Sequence, residues 1–135
     1  MKRYLGIDHG LKRIGLALGD DQSKLAMPFK IIENRGTDRS INEIKKIIID
    51  NQIGAIVIGR PCSLKASGAL AGQQEQIVLD FGRRLENELN LPIFYQDERL
   101  TSRQSQKLLA EQKGRAREDA VAAMLILQAY FDRLI

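Results

Sequence analysis

The feature that most constrains this chain is an acidic residue placed directly after an apolar strand near the N-terminus. Residues 4–20 read YLGIDHGLKRIGLALGD, in which Lys2–Ile7 predicts a first strand and Arg13–Gly19 a second. The turn between them is short and contains glycine, which predicts an antiparallel hairpin. Asp8 interrupts the apolar pattern where the first strand ends, so its carboxylate either belongs to the turn or forms part of a site.

The rest of the chain alternates between helical and strand periodicity. Ser40 and Glu43 form a capping-box pattern before a helix that Gly54 ends. The other predicted elements are the strand Phe29–Ile32, the strand Ala55–Gly59, the helix Gln74–Leu89, the strand Leu91–Tyr95, a helix from Thr101 to about Lys113 and an apolar helix from Glu118 or Asp119 onward. This order predicts one α/β domain over residues 1–135, a mixed sheet with helices on its faces.

Composition limits the class of protein. A chain of 135 residues with 44% hydrophobic residues can bury one core. No apolar stretch is long enough to span a bilayer, and Asp8 and His9 break the N-terminal apolar run, so we predict neither a membrane segment nor a signal peptide. The single cysteine, Cys62, fits a reducing cytoplasm. The net charge of +4 permits a polyanionic partner.

Acidic residues follow two of the predicted strands and begin the last helix. Asp8 comes after the first strand, Asp97–Glu98 after the last strand, and Asp119 at the start of the final helix. Ligands of such sheets bind beyond the carboxyl ends of the parallel strands, where these acids would converge. Carboxylates are the ligands that Mg²⁺ and Mn²⁺ prefer, so this pattern indicates a divalent metal site suited to phosphodiester hydrolysis.

Each acid also has an interpretation that involves no chemistry. Asp8 fits a turn at the end of a strand, and Asp119 fits the acidic residue favoured at a helix N-terminus. Glu98 is close enough in sequence to pair with Arg99 or Arg103 on the surface. Other site chemistries have less support, because one histidine and one cysteine make neither a common zinc site nor a Ser-His-Asp triad.

Three motifs resemble those of the YqgF family, also called RuvX. They are GIDHGLKRIGLALGD, DERLTS and EDAVAAMLILQAYFD, and they follow the family order over almost the whole chain. Members of this family are Holliday junction resolvase-like proteins regarded as pre-16S rRNA nucleases. The resemblance implies an RNase H-like fold with a five-stranded mixed sheet whose first three strands are antiparallel. It further implies that Asp8, Glu98 and Asp119 are metal-binding catalytic acids that use Mg²⁺ or Mn²⁺.

The predicted substrate contacts are mostly basic residues near these acids. The full set is Lys12, Arg13, Arg60, Arg99, Thr101, Ser102, Arg103, Lys107, Arg115 and Arg117. Several of the basic residues flank the three acids in sequence, which favours contacts to phosphate and binding that depends on salt. Arg60 departs from the family pattern, because it replaces an apolar residue in GRPCSLKASG. His9 is a candidate for tuning Asp8, although packing is the simpler role.

The function predicted on this basis is metal-dependent cleavage that processes the 5′ end of pre-16S rRNA in the cytoplasm, with the ribosome as a candidate partner. Resolution of four-way DNA junctions is the first alternative, and it normally requires a dimer; we expect a monomer or a weak homodimer. A non-catalytic nucleic-acid-binding factor is the second, and its binding would survive loss of Asp8. GIDHG also resembles the phosphate hairpin of actin-like ATPases and sugar kinases, but those enzymes need two lobes.

Overall fold

A computed structural model describes residues 1–61, 69–98 and 118–134 of the chain. Five strands and three helices lie in these residues: β1 (Arg3–His9), β2 (Arg13–Asp20), β3 (Ala26–Glu33), α1 (Thr37–Asn51), β4 (Ile53–Arg60), α2 (Ala69–Leu89), β5 (Ile93–Asp97) and α3 (Glu118–Arg133). The helix predicted from Thr101 to Lys113 lies outside the described residues.

The five strands form one mixed sheet in the order β3-β2-β1-β4-β5. β1 pairs antiparallel with β2, and β2 pairs antiparallel with β3. β4 is parallel to both β1 and β5. This topology confirms the predicted mixed sheet with three antiparallel strands at its start. Because β1, β4 and β5 run in the same direction, their carboxyl ends meet at one edge of the sheet.

The two faces of the sheet bury separate apolar clusters. On one face, strand residues such as Ile7 and Ile58 pack with α1 and α2. On the other face, Tyr4, Ala17 and Val57 belong to a cluster formed with α3. Side chains alternate between the faces along each strand, so a residue's position in its strand decides which helix it meets. Helices on both faces were predicted, and the structure confirms this.

The start of α1 differs from the capping-box prediction. The helix begins at Thr37, after Gly36, whose φ of 110° is a conformation that favours glycine. No side chain caps this end, and Ser40 is buried inside the first turn, where its hydroxyl donates to Asn34 Oδ1 at 3.3 Å. The capping prediction was wrong because the chain turns into the helix at Gly36, four residues before Ser40.

Other element boundaries also move. Asp8 lies within β1 and not in the turn that follows it. β3 begins at Ala26 and includes Pro28, which an edge strand accommodates because a missing N–H breaks few ladder hydrogen bonds there. Gly54 lies in β4, because α1 already ends at Asn51.

No helix within the described residues has the length and apolar character required to cross a membrane.

Candidate active site

Asp8 lies near the end of β1 on the face of the sheet that α3 covers. Tyr4 on the same strand belongs to the α3 cluster, and the Cα of Gly6 lies so close to α3 that an added Cβ would be 2.9 Å from Leu127 Cβ. Alternation along the strand then directs Asp8 toward the same face. Its side chain is half-buried at the edge where β1, β4 and β5 end.

A glycine lies beside Asp8 on the β2 side, and Asp119 approaches the sheet over it. Asp8 is the cross-strand partner of Gly15. A Cβ on Gly15 would collide with the backbone carbonyl of Asp119, in the first turn of α3. The absence of a side chain at Gly15 therefore allows α3 to seat directly on β2, which brings Asp119 next to Asp8.

A second glycine lies on the other side of Asp8, and Glu98 covers it. The β1–β4 register pairs Ile7 with Ile58, and its continuation places Gly59 beside Asp8. A Cβ on Gly59 would lie 2.8 Å from Glu98 Oε1 and would collide with Ile126. The Glu98 side chain thus lies over Gly59, on the same face as Asp8. The three predicted acids share one face and one edge of the sheet.

Arg13 forms an ion pair with one of these acids. Its Nε lies 2.9 Å from Asp119 Oδ2, and the two side chains are 50% and 26% exposed. Arg13 begins β2, directly after the turn that follows Asp8's strand. The pair places a half-exposed guanidinium beside Asp119.

The turn that carries Lys12 and Arg13 is anchored by an asparagine from the β3–α1 connection. The Asn34 side-chain amide donates to the Gly10 carbonyl at 2.8 Å, and the Asn34 backbone N–H donates to the Lys12 carbonyl at 2.9 Å. Lys12 itself is exposed. This anchoring fixes the backbone of the turn, while the Lys12 side chain stays open to a ligand.

Gln96 is a buried polar residue at the same level of the sheet. It pairs with Gly59 in the β4–β5 register, and its side chain is 0% exposed. Phe94, two residues earlier, packs against the α3 cluster, so Gln96 faces α3 as well. Neither its amide nitrogen nor its amide oxygen has a hydrogen-bond partner within the part of the chain that the structure describes.

His9 faces away from the acids. Its ring packs on Phe81 of α2 with a centroid distance of 4.5 Å, on the opposite face of the sheet from Asp8. Burial lowers the pKa of the His9 imidazole, and a hydrogen bond to its own backbone partly offsets this effect. The packing role considered for His9 agrees with its position on Phe81, on the opposite face of the sheet from Asp8.

Arg60 also lies on the α2 side. Its Nε donates to Glu75 Oε2 at 2.8 Å, and Glu75 belongs to α2. The remaining predicted substrate contacts lie outside the described residues, namely Arg99, Thr101, Ser102, Arg103, Lys107, Arg115 and Arg117. Among the described substrate candidates, Arg13 forms an ion pair with Asp119, one of the three predicted acids.

The structure adds residues that the sequence analysis did not single out. Gly15 and Gly59 provide the space for Asp119 and Glu98, and Gln96 is buried in the same row. The sequence gives the identity of these residues, but only the strand register shows that they lie beside Asp8.

The donor set of this face suits a hard divalent cation, because it consists of carboxylates and an amide. Within residues 1–61, 69–98 and 118–134, no three carboxylate, imidazole or thiol groups are gathered closely enough to form a preformed ion site. Asp119 is paired with Arg13.

Two solved structures share this architecture. RuvC of T. thermophilus in complex with a Holliday junction substrate superposes with a TM-score of 0.65, at 12% identity, over 99% of this chain and 96% of that one. The fowlpox virus resolvase in complex with junction DNA superposes with a TM-score of 0.62, at 11% identity, over 98% and 99% of the two chains. The fold is that of the RNase H-like resolvases.

Sequence comparison identifies the family. The RuvX family profile, described as Holliday junction resolvase, matches residues 2–133, and the chain belongs to this family. A relative from Orientia tsutsugamushi (strain Ikeda), named "Putative pre-16S rRNA nuclease", is 42% identical over 138 residues, which cover 98% of this chain and 85% of the relative. A Maridesulfovibrio salexigens protein with the same name is 36% identical and covers 97% and 98% of the two chains.

Proposed function

We propose that this protein is a divalent-metal-dependent endonuclease that processes the 5′ end of pre-16S rRNA. The observation that carries the proposal is the position of Asp8 between two glycines, with Asp119 over one and Glu98 over the other. Curated relatives named as pre-16S rRNA nucleases support this choice of substrate. Precursor rRNA is a cytoplasmic substrate, which also agrees with the single cysteine of the chain.

In this proposal Asp8, Glu98 and Asp119 hold Mg²⁺ or Mn²⁺. When bound, the ions supply an activated water and stabilise the charge on the departing oxygen. Asp8 anchors the site because it is on a central strand whose backbone is fixed by pairing on both sides. Glu98 and Asp119 approach from the end of β5 and the first turn of α3.

Basic side chains of the chain bind and orient the substrate backbone. Lys12 and Arg13 lie at the turn beside Asp8, and this turn is held by Asn34. Arg13 exchanges its contact with Asp119 for a phosphate oxygen when RNA enters, which leaves Asp119 available to the cation. The predicted contacts at residues 99–107, 115 and 117 would extend this basic surface along the RNA.

The test is cleavage of a precursor 16S rRNA fragment and of a four-way DNA junction, each with Mg²⁺ or Mn²⁺. We expect metal-dependent cleavage of the rRNA fragment and little cleavage of the junction. Cleavage of the junction alone, as two symmetric cuts, would instead support resolvase activity, to which the family description points. Binding without cleavage in both metals would contradict nuclease activity and support a binding factor.

Replacing Arg13 with alanine is expected to weaken RNA binding without unfolding the protein. The Arg13–Asp119 pair is partly exposed, and such pairs contribute about 0–1 kcal/mol to stability. Loss of one phosphate contact should lower the slope of log affinity against log salt by about 1, for every RNA sequence tested. Filter binding at several salt concentrations measures this slope.

Arg84→Ala is the matched control. Arg84 is 45% exposed and pairs with Asp38 at 2.8 Å, so it resembles Arg13 in exposure and pairing. It lies on α2, on the opposite face of the sheet. The control should keep the wild-type salt slope, and equal slopes for both variants would argue against a phosphate contact at Arg13.

A further inference from the structure

The amide of Gln96 is the most unusual polar group in the described residues. A buried amide without hydrogen bonds destabilises a folded protein, so such groups rarely persist without a role. Gln96 is 0% exposed, and both its amide nitrogen and its amide oxygen lack partners in the described part of the chain. A leucine or methionine would fill the same space without this loss.

Its position relates the amide to the acids. Asp8, Gly59 and Gln96 form one row across β1, β4 and β5, and all three face α3. Neighbouring strands are about 4.8 Å apart, so the Cα atoms of Asp8 and Gln96 are about 10 Å apart. The central residue is glycine, and the side chains of Glu98 and Ile126 lie over it.

Glu98 occupies the space above this central glycine. Its Oε1 lies 2.8 Å from the position that a Gly59 Cβ would take. The carboxylate of Glu98 is therefore bordered by Asp8 on one side and by Gln96 on the other. The Gln96 amide, which has one acceptor oxygen and two donor hydrogens, lies in the same row as this carboxylate.

We infer that the Gln96 amide takes part in divalent-cation binding, as the buried polar group that hydrogen-bonds the water hydrating the cation and the Glu98 carboxylate. The inference rests on the proposed metal-dependent function. Mg²⁺ keeps several of its waters when it binds to proteins, so polar partners beyond the direct ligands contribute to its affinity. With the cation bound, both amide atoms of Gln96 gain the partners that they otherwise lack.

The test is a titration of the protein with Mn²⁺, in which the electron paramagnetic resonance signal of free Mn²⁺ measures binding. Melting temperatures are measured with and without the ion. Gln96→Met keeps the length of the side chain and removes the amide. We expect Mn²⁺ affinity to fall about 10-fold. Mutation of residues that hydrogen-bond metal ligands typically lowers metal affinity about 10- to 100-fold, and this value is the lower end of that range. The melting temperature without metal should stay the same or rise.

Phe94→Leu is the control on the same strand and face. Phe94 packs on Tyr130 with a ring-centroid distance of 5.3 Å, and it lies one strand repeat farther from the site than Gln96. This variant should lower the melting temperature and keep wild-type Mn²⁺ affinity. Gln96→Glu provides a second measurement that conserves shape, and it should enlarge the rise in melting temperature on addition of Mn²⁺.

The outcomes separate this inference from the proposed function. The role of Gln96 would be overturned if Gln96→Met bound Mn²⁺ with wild-type affinity. It would also be overturned if Mn²⁺ raised the melting temperature of Gln96→Glu no more than that of the wild type. Neither outcome would bear on the proposed function. Wild-type protein that binds Mn²⁺ no better than Asp8→Asn would overturn the metal-dependent function and, with it, this inference.

Discussion

Replacing Asp8 with asparagine is expected to abolish cleavage and to leave the fold and RNA binding intact. Asparagine has the same shape as aspartate, and the pairing of β1 with β2 and β4 is made by backbone groups. The loss of charge removes the central carboxylate of the acidic face. Mutation of residues that only hydrogen-bond metal ligands lowers metal affinity or activity about 10- to 100-fold. Because Asp8 is proposed as a direct ligand, we expect the cleavage rate to fall by more than about 100-fold.

Single-turnover cleavage of the rRNA fragment measures the loss, and circular dichroism and filter binding check fold and affinity. Asp50→Asn is the control, because Asp50 is an exposed acid on α1. The control should cut at the wild-type rate. Unchanged cleavage by Asp8→Asn would show that Asp8 has a structural role only, and the binding-factor interpretation would then be favoured.

Replacing Gly15 with alanine is expected to produce the largest loss of stability among single-methyl changes at the site. The new Cβ would collide with the carbonyl of Asp119 and approach the Ala120 nitrogen, which are backbone atoms and cannot rotate away. α3 would have to lift off β2. Overpacking typically costs about 1–3 kcal/mol, and we expect about 3 kcal/mol or more here. Urea denaturation measures this free energy of unfolding.

Gly72→Ala is the matched change at an open position. Gly72 lies on α2, and among the described residues no atom outside the helix's own backbone lies within 4 Å of an added Cβ. Alanine stabilises a helix interior by about 0.5–1 kcal/mol relative to glycine, so this variant should be more stable than the wild type. A Gly15→Ala protein with the wild-type urea midpoint would mean that α3 does not seat on Gly15.

Much of the sheet could be predicted from the sequence because its signals are local. The hairpin follows from two apolar runs joined by a glycine-bearing turn, and β4 follows from the apolar run Ala55–Gly59. Asp8 was conspicuous because an acid rarely continues such a run. The start of α1 was not predictable in this way, because Ser40 and Glu43 imitate a cap, whereas the positive φ of Gly36 sets the boundary.

The arrangement around Asp8 could not be predicted, because it depends on strand register and on how α3 seats. Gly15 is seven residues from Asp8, and Gly59 and Gln96 are far from it in the chain, yet pairing aligns all of them across the sheet. Nothing local distinguishes Gln96 from the many exposed glutamines of other proteins. Its burial results from its place on β5 beneath α3.

The packing of α3 has a consequence for the order in which the protein matures during translation. Tyr4, Ala17 and Val57 are synthesised early, but their face of the sheet is covered by α3, which is synthesised after the five strands that the structure describes. A nascent chain that lacks α3 exposes this apolar face and lacks Asp119. Nascent domains fold as units while they emerge, and exposed apolar surface promotes aggregation. Docking of one late helix therefore both protects the growing polypeptide and completes the set of three acids.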